Sequence, residues 1–281
     1  MDDLKVKKIK NNLGSFIRYI FISLILIICG YPLLWMVLNS FKTTHEIFAN
    51  VIKFPTNFDF SVFLKAWKDA NFSIAFRNSL IVTFAAIGII LIVGSLAAFS
   101  LSHMDFKLNK FFLSLFIGLQ IISGQIILLP LFKLMKNLGL LGNLASLILV
   151  NSAMGLPLSI FILWGFFRGL SRDIYDAAKI DGCNNFYYYL RFVLPLSKPG
   201  IASVAIFQFL FIWNEYLFAL TFANKPAVRT IPIQLQVFFT EHYSNYQMAF
   251  AGLTMAVIPI LLIYIFTQRF FIKGLQEGSY R

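Results

Sequence analysis

Uncharged apolar runs separated by short polar joints dominate the pattern along the chain. Runs 19–41, 78–102, 111–132, 137–167 and 243–268 contain no Asp, Glu, Lys or Arg, and 199–222 contains only Glu215. A helix needs about 20 apolar residues at about 1.5 Å each to cross the hydrocarbon of a bilayer, and every run is that long. The pattern predicts six membrane-spanning helices, each passing fully through, in an all-α polytopic membrane protein. No internal repeat, low-complexity tract or second soluble domain interrupts it, so 1–18 reads as a tail and 19–281 as one membrane domain.

Pro32, Pro130, Pro157 and Pro259 lie inside four of the runs, accompanied by glycines such as Gly94, Gly124 and Gly155. Two readings stay open: close helix packing, which neighbouring helices make tolerable, or bending beside a translocation path.

Composition agrees with lipid as the solvent. The 281 residues are 59% hydrophobic with 33 phenylalanines, and only 13% are charged. A formal charge of +12 suits a nucleic-acid binder, but the basic residues sit singly between apolar runs instead of clustering on one polar face, so no nucleic acid is expected as a partner. Cys29 and Cys183 are too few for a disulfide framework and are expected to be unpaired. Lys5, Lys7, Lys8, Lys10 and Arg18 before the first run resemble a signal peptide, yet that run is too long and lacks a small-residue cleavage site; it reads as an uncleaved first span.

Basic residues also orient the chain. With the N-terminus in the cytoplasm, fifteen of the 24 Lys and Arg fall in inside segments, including Lys107, Lys110, Arg168, Arg172, Lys179 and Arg191. Both termini are then cytoplasmic. Outside lie a loop over 41–77, a tight turn at 133–137 and a loop over 223–242. The first is rich in phenylalanine and is expected to pack as a small cap or to lie at the interface.

The longest cytoplasmic joint, 168–198, is a polar island. Ser171 or Asp173 can cap a helix, Asp173 and Asp176 complement its positive end, and Ile174, Ala177 and Ala178 follow at helical spacing as one small apolar face. Asp181-Gly182 is a stop, because glycine accepts the left-handed conformation that closes a helix. A helix this short is unstable alone and needs a surface to pack on. The aromatic stretch 186–194 suits the membrane interface, and Leu194, Pro195 and Pro199 lead into the next run. An amphipathic loop lying on lipid explains the aromatics but not three aspartates facing an anionic surface.

Asp176-Ala177-Ala178, three residues, Gly182, nine residues, Phe192, one residue, then Leu194-Pro195 resembles the cytoplasmic signature of ATP-binding-cassette importer permeases. Asp176 stands where that family usually has glutamate, and Phe192 where it has isoleucine. Asn78-Ser79-Leu80, Ile180-Asp181-Gly182, Leu194-Pro195-Leu196-Ser197-Lys198-Pro199, Trp213-Asn214-Glu215-Tyr216 and Lys273-Gly274 resemble the carbohydrate-uptake branch, specifically its shorter six-span subunit. The resemblance is densest over 76–271. It implies a second homologous permease subunit, a cytoplasmic ATPase and an extracytoplasmic sugar-binding protein, in a cell membrane. Asp173, Ile174, Asp176, Ala177, Ala178, Asp181, Gly182, Leu194 and Pro195 would couple to the ATPase. No cofactor is implied for this chain; ATP and Mg belong to the partner.

The residues support that division of labour. No Gly-x-x-x-x-Gly-Lys-Ser/Thr occurs, so the chain is not expected to cradle ATP or act as an enzyme. His45, His103 and His242 form no His-Glu-x-x-His zinc pattern and are expected to be solvated or interfacial. The rival reading is a secondary transporter or channel driven by an ion gradient, which usually holds ionisable groups at mid-membrane. Glu215 is the one such group within a run, and it lies about 24 Å along the helix from Pro199, nearer the outer end. Trp213, Asn214, Glu215 and Tyr216 combine polar groups with aromatic faces, as sugar recognition requires. They are candidates for the substrate path or for contact with the binding protein, against the alternative of an aromatic-belt anchor.

Overall fold

The computed structural model describes residues 2–49, 53–104, 106–239 and 245–278; His242, positions 243–244 of the last apolar run, and Ser279, Tyr280 and Arg281 lie outside the described residues. Among the described residues the secondary structure is helical, with no β-strand element. In order come α1 (Asp2–Asn39), α2 (Thr44–Ala49), α3 (Ser61–Asp69), α4 (Phe72–His103), α5 (Asn109–Leu119), α6 (Leu128–Asn137) and α7 (Leu144–Arg168). Then follow α8 (Arg172–Ile180), α9 (Asn185–Tyr188), a π turn at Tyr189–Val193, α10 (Leu194–Leu196) and α11 (Lys198–Trp213). After α12 (Leu217–Phe222) and α13 (Ile231–Gln234), α14 (Tyr246–Gly278) is the last described element.

Among the described residues four helices are long and apolar enough to cross a membrane: Arg18–Asn39, Phe72–His103, Leu144–Arg168 and Tyr246–Thr267. A fifth is gained if Asn185–Leu196 and Lys198–Trp213, bent by 75° at Ser197, count as one span. The expected uninterrupted helix over 111–132 is not there. It is divided into α5, of 11 residues, and α6, of 10, each about 15–17 Å long against the roughly 30 Å of hydrocarbon. The cause is local: Gln120, Ser123, Gly124 and Gln125 form successive turns, in which the N–H groups of Gln120, Ile121 and Ile122 bond three residues back. The expected turn at 133–137 is corrected as well, since these residues belong to α6. The turn lies at Leu138–Asn143 instead, where Gly139 and Gly142 take φ of 68° and 75°.

By internal contacts the chain forms two compact units, one of Met1–Asp69 with Phe238–Ala256 and one of Ala70–Val237 with Val257–Arg281. In the first, α1 leads into a cap built on Phe41, whose ring lies 5.2, 5.1 and 5.6 Å from those of Phe58, Phe60 and Phe63. Trp35 meets Phe250 edge-on at 5.2 Å. This aromatic cluster packs part of the 41–77 loop on itself, so that part is not a free linker.

The second unit is centred on α4 packed along α7, with α11 against both. Gly155 makes this approach close: a Cβ there would lie 2.6 Å from Ile90 Cδ1 and 2.6 Å from Gln208 Oε1. Gln208, 3% exposed, donates through Nε2 to Gly155 O at 3.1 Å and to Ser159 Oγ at 3.0 Å, so a buried amide clips α11 to α7. The loop after α12 is tied to the start of α4. Asn78 Nδ2 donates to the carbonyls of Ala227 and Arg229, both at 3.0 Å, and Ser79 Oγ accepts the Ile231 N–H at 2.9 Å.

Candidate functional site

Local chemistry explains why α8 starts and stops where it does. Ser171 Oγ accepts the Asp173 N–H at 3.2 Å, capping the first turn, and Asp173 adds negative charge there. At the other end Gly182 has φ of 78°, its N–H bonds Lys179 O at 3.0 Å, and the Cys183 N–H bonds Ala178 O at 2.9 Å. This is a Schellman closure, and it requires the glycine.

Nine residues do not make a stable helix alone, so the anchoring matters. Tyr175 meets the buried Tyr188 edge-on at 5.1 Å, and Tyr188 is in turn within 5.6 Å of the His103 ring at the end of α4. Lys179 Nζ donates to Asn185 Oδ1 at 2.6 Å and lies 5.4 Å from the centre of the Tyr175 ring. Tyr189 shares a hydrogen bond of 2.7 Å with Ser95 Oγ on α4. The aromatic stretch expected at the membrane interface is thus divided: Phe186 and Tyr187 are exposed, whereas Tyr188 forms the socket for α8 and Tyr189 fastens the segment to α4. His103, expected to be solvated or interfacial, is half-buried in that socket, stacked on Phe99 at 5.1 Å; His45 is exposed.

The face of α8 differs from the expected Ile174, Ala177 and Ala178. Helical phase turns Ala178 inward, 4% exposed, with Ile174 and Tyr175 half-buried beside it. The outward stripe is Asp173, Asp176, Ala177 and Ile180, positions i, i+3, i+4 and i+7, with Asp181 and Gly182 exposed at its end. Ile180 is 86% exposed, which leaves a bare apolar side chain beside two carboxylates and an alanine. Sequence reading left Ile180 out of the coupling set; its phase with Asp173, Asp176 and Ala177 was the available signal. Leu194 is half-buried and Pro195 exposed. The π turn, with Leu194 N–H bonded to Tyr189 O, accommodates Pro195, which lacks an N–H and crowds the carbonyl four residues back.

A second site lies where two helices break. Gln120, Asn151, Gln208 and Glu215 line a cavity of about 270 Å³ whose remaining wall is largely apolar, including Phe211 and Phe218. Two non-helical segments border it, 120–127 and 214–216, and irregular backbone at membrane depth is tolerated only inside protein or along a cavity. Gly124 lets the segments approach, since a Cβ there would lie 2.8 Å from Phe218 Cζ. Glu215 interrupts the 199–222 run because its carboxylate accepts the Phe218 N–H at 2.6 Å and the Ala219 N–H at 2.9 Å, starting α12.

Of the four residues expected at the path, only Glu215 reaches this cavity. Trp213 is buried, stacked on Phe209 at 5.3 Å. Asn214 is exposed and donates to Leu210 O at 2.8 Å, and the Tyr216 hydroxyl accepts from Gln236. Sequence reading missed Gln120, Asn151 and Gln208. Amides within otherwise apolar runs were the signal, but one too common to single them out.

The sequence profile of the family described as "Binding-protein-dependent transport system inner membrane component" matches residues 90–277. Among similar proteins is the diacetylchitobiose uptake system permease protein NgcG of Streptomyces coelicolor. It is 33% identical over 252 residues, covering 89% of this chain and 83% of that one. The melibiose/raffinose/stachyose import permease protein MelC of Bacillus subtilis is 33% identical over 227 residues, covering 80% and 82%. The fold is shared with a chain from the crystal structure of a bacterial ABC transporter involved in import of the acidic polysaccharide alginate. That match has a TM-score of 0.79 at 21% identity and covers 93% of this chain and 98% of the other. A multi-pass helical chain with a capped helix between α7 and α11, matched by that profile over most of its length, belongs to the family of inner-membrane components of binding-protein-dependent transport systems.

Proposed function

We propose that this chain is one of two permease subunits of an ATP-driven sugar importer, fed by an extracytoplasmic sugar-binding protein and driven by a cytoplasmic ATPase. The observation that carries the coupling role is the exposed stripe Asp173, Asp176, Ala177 and Ile180 on a helix held rigidly from below. The alanine permits close approach, Ile180 offers an apolar knob, and the carboxylates suit basic groups on a partner. Asp181, Gly182, Leu194 and Pro195 keep the stripe at a constant angle to α11. Family membership and the sugar importers among the relatives favour this reading over an ion-gradient transporter.

In this reading the chain crosses the membrane six times, with α5 and α6 together making the third crossing and α9–α12 the fifth. Both termini and α8 then face the cytoplasm. ATP closes the ATPases, their movement is transmitted through α8, and the bundle opens outward to receive sugar. Glu215, with the three amides beside it, lines part of the path. Trp213, Asn214 and Tyr216 support its shape or meet the binding protein. The test is substrate-stimulated ATPase activity of the reconstituted importer. Gly182→Leu, Asp176→Lys and Ile180→Asp are each expected to abolish stimulation while the chain still inserts; wild-type stimulation in all three overturns the coupling role.

A further inference from the structure

A cleft of about 720 Å³ opens between the α4–α5 turn and the ends of α7 and α8, apart from both sites described above. Lys107, Lys110, Arg168 and Arg172 line it, together with Trp164 and Leu113, and no acidic residue is among its described lining. The cations come from the α4–α5 turn, α5, α7 and α8, and all are exposed. None is in an ion pair among the described residues. Asn109 Nδ2 donates to Leu101 O at 2.9 Å and to Met104 O at 3.3 Å, closing the turn that carries Lys107, and the Arg168 guanidinium lies 5.1 Å from the centre of the Trp164 ring. Four like charges around one opening repel one another unless an anion lies between them.

The apolar lining identifies the anion. Leu113 lies one turn along α5 from Lys110, and Trp164 one turn before Arg168 on α7, so on both helices an apolar wall continues inward from the cations. Phe106, Leu108 and Phe111 are exposed beside the opening. A free anion in water has no use for that wall, whereas a phosphodiester attached to acyl chains matches both parts. We propose that this cleft binds the phosphate of an anionic phospholipid, tying the α4–α5 turn to the base of α8. The site requires only a membrane-embedded chain and does not depend on the coupling role of α8.

The whole importer, purified with its partners, is reconstituted in nanodiscs of phosphatidylcholine with phosphatidylglycerol, and retained lipid is counted by native mass spectrometry after release. Wild type is expected to retain phosphatidylglycerol selectively. Lys107→Gln with Lys110→Gln is expected to lower that selectivity roughly five-fold for each cation removed, the ratio equivalent to about 1 kcal/mol per charge. Lys133→Gln with Lys136→Gln, the same charge change on α6, is expected to leave it intact. In unaltered protein, a photoactivatable phosphatidylglycerol is expected to label peptides spanning 106–113 or 164–172, and inorganic phosphate is not expected to prevent labelling. Equal retention of the two lipids, undiminished selectivity in the Lys107/Lys110 variant, labelling elsewhere, or displacement by inorganic phosphate would each overturn the proposal.

Discussion

Glu215 and Asn214 are neighbours in sequence with separate jobs. The Glu215 carboxylate accepts two backbone N–H groups and borders the cavity, while Asn214 is exposed and bonded to its own helix. Glu215→Ala removes two charge-assisted bonds of about 1.5–3 kcal/mol each and the only acidic group among the cavity's described lining residues, so uptake by the reconstituted importer is expected to be largely lost. Asn214→Ala is expected to retain uptake. Normal transport by both would remove Glu215 from the path. Gly155 sets a second requirement at this scale, because any side chain there meets Gln208 and Ile90 together. Gly155→Leu is expected to prevent stable packing of α4, α7 and α11, seen as lost monodispersity on extraction.

At the scale of elements, short helices depend on their ends. Thr43 and Glu46 form a capping box at α2: Glu46 Oε2 accepts the Thr43 N–H at 2.9 Å, and Thr43 Oγ1 accepts the Glu46 N–H at 3.3 Å. The Thr43 backbone bond, then its hydroxyl, holds the Glu46 carboxyl below its ordinary value. A depressed folded-state pKa contributes stability that is full above the unfolded value and is lost as pH falls through the folded one. Protection of the α2 amides from hydrogen exchange is therefore expected to fall on acidification below the ordinary carboxylate range, and Glu46→Gln to remove that dependence. The same logic of ends governs α8, where Ser171 and Gly182 set its length and the aromatic socket around Tyr188 sets its orientation.

For the whole molecule, the membrane topology is open to a direct experiment. In a background with Cys29→Ser and Cys183→Ser, Ile180→Cys is expected to react with an impermeant maleimide from the cytoplasmic face alone and to be shielded when the ATPase is bound. Labelling from the outer face would reverse the orientation. The all-helical membrane character was legible without coordinates, because uncharged runs of spanning length are a local property and lipid admits few other structures. The bounds of α8 were legible for the same reason: a cap and a left-handed glycine act within a turn of themselves. The outward side of α8, the breaks at 120–127 and 214–216, and the meeting of Gln120, Asn151, Gln208 and Glu215 came only with the tertiary structure. Each depends on contacts between distant positions, Tyr175 with Tyr188 and His103, Gly124 with Phe218, and Gly155 with Gln208, and hydropathy along a chain carries no record of which distant residues pack together.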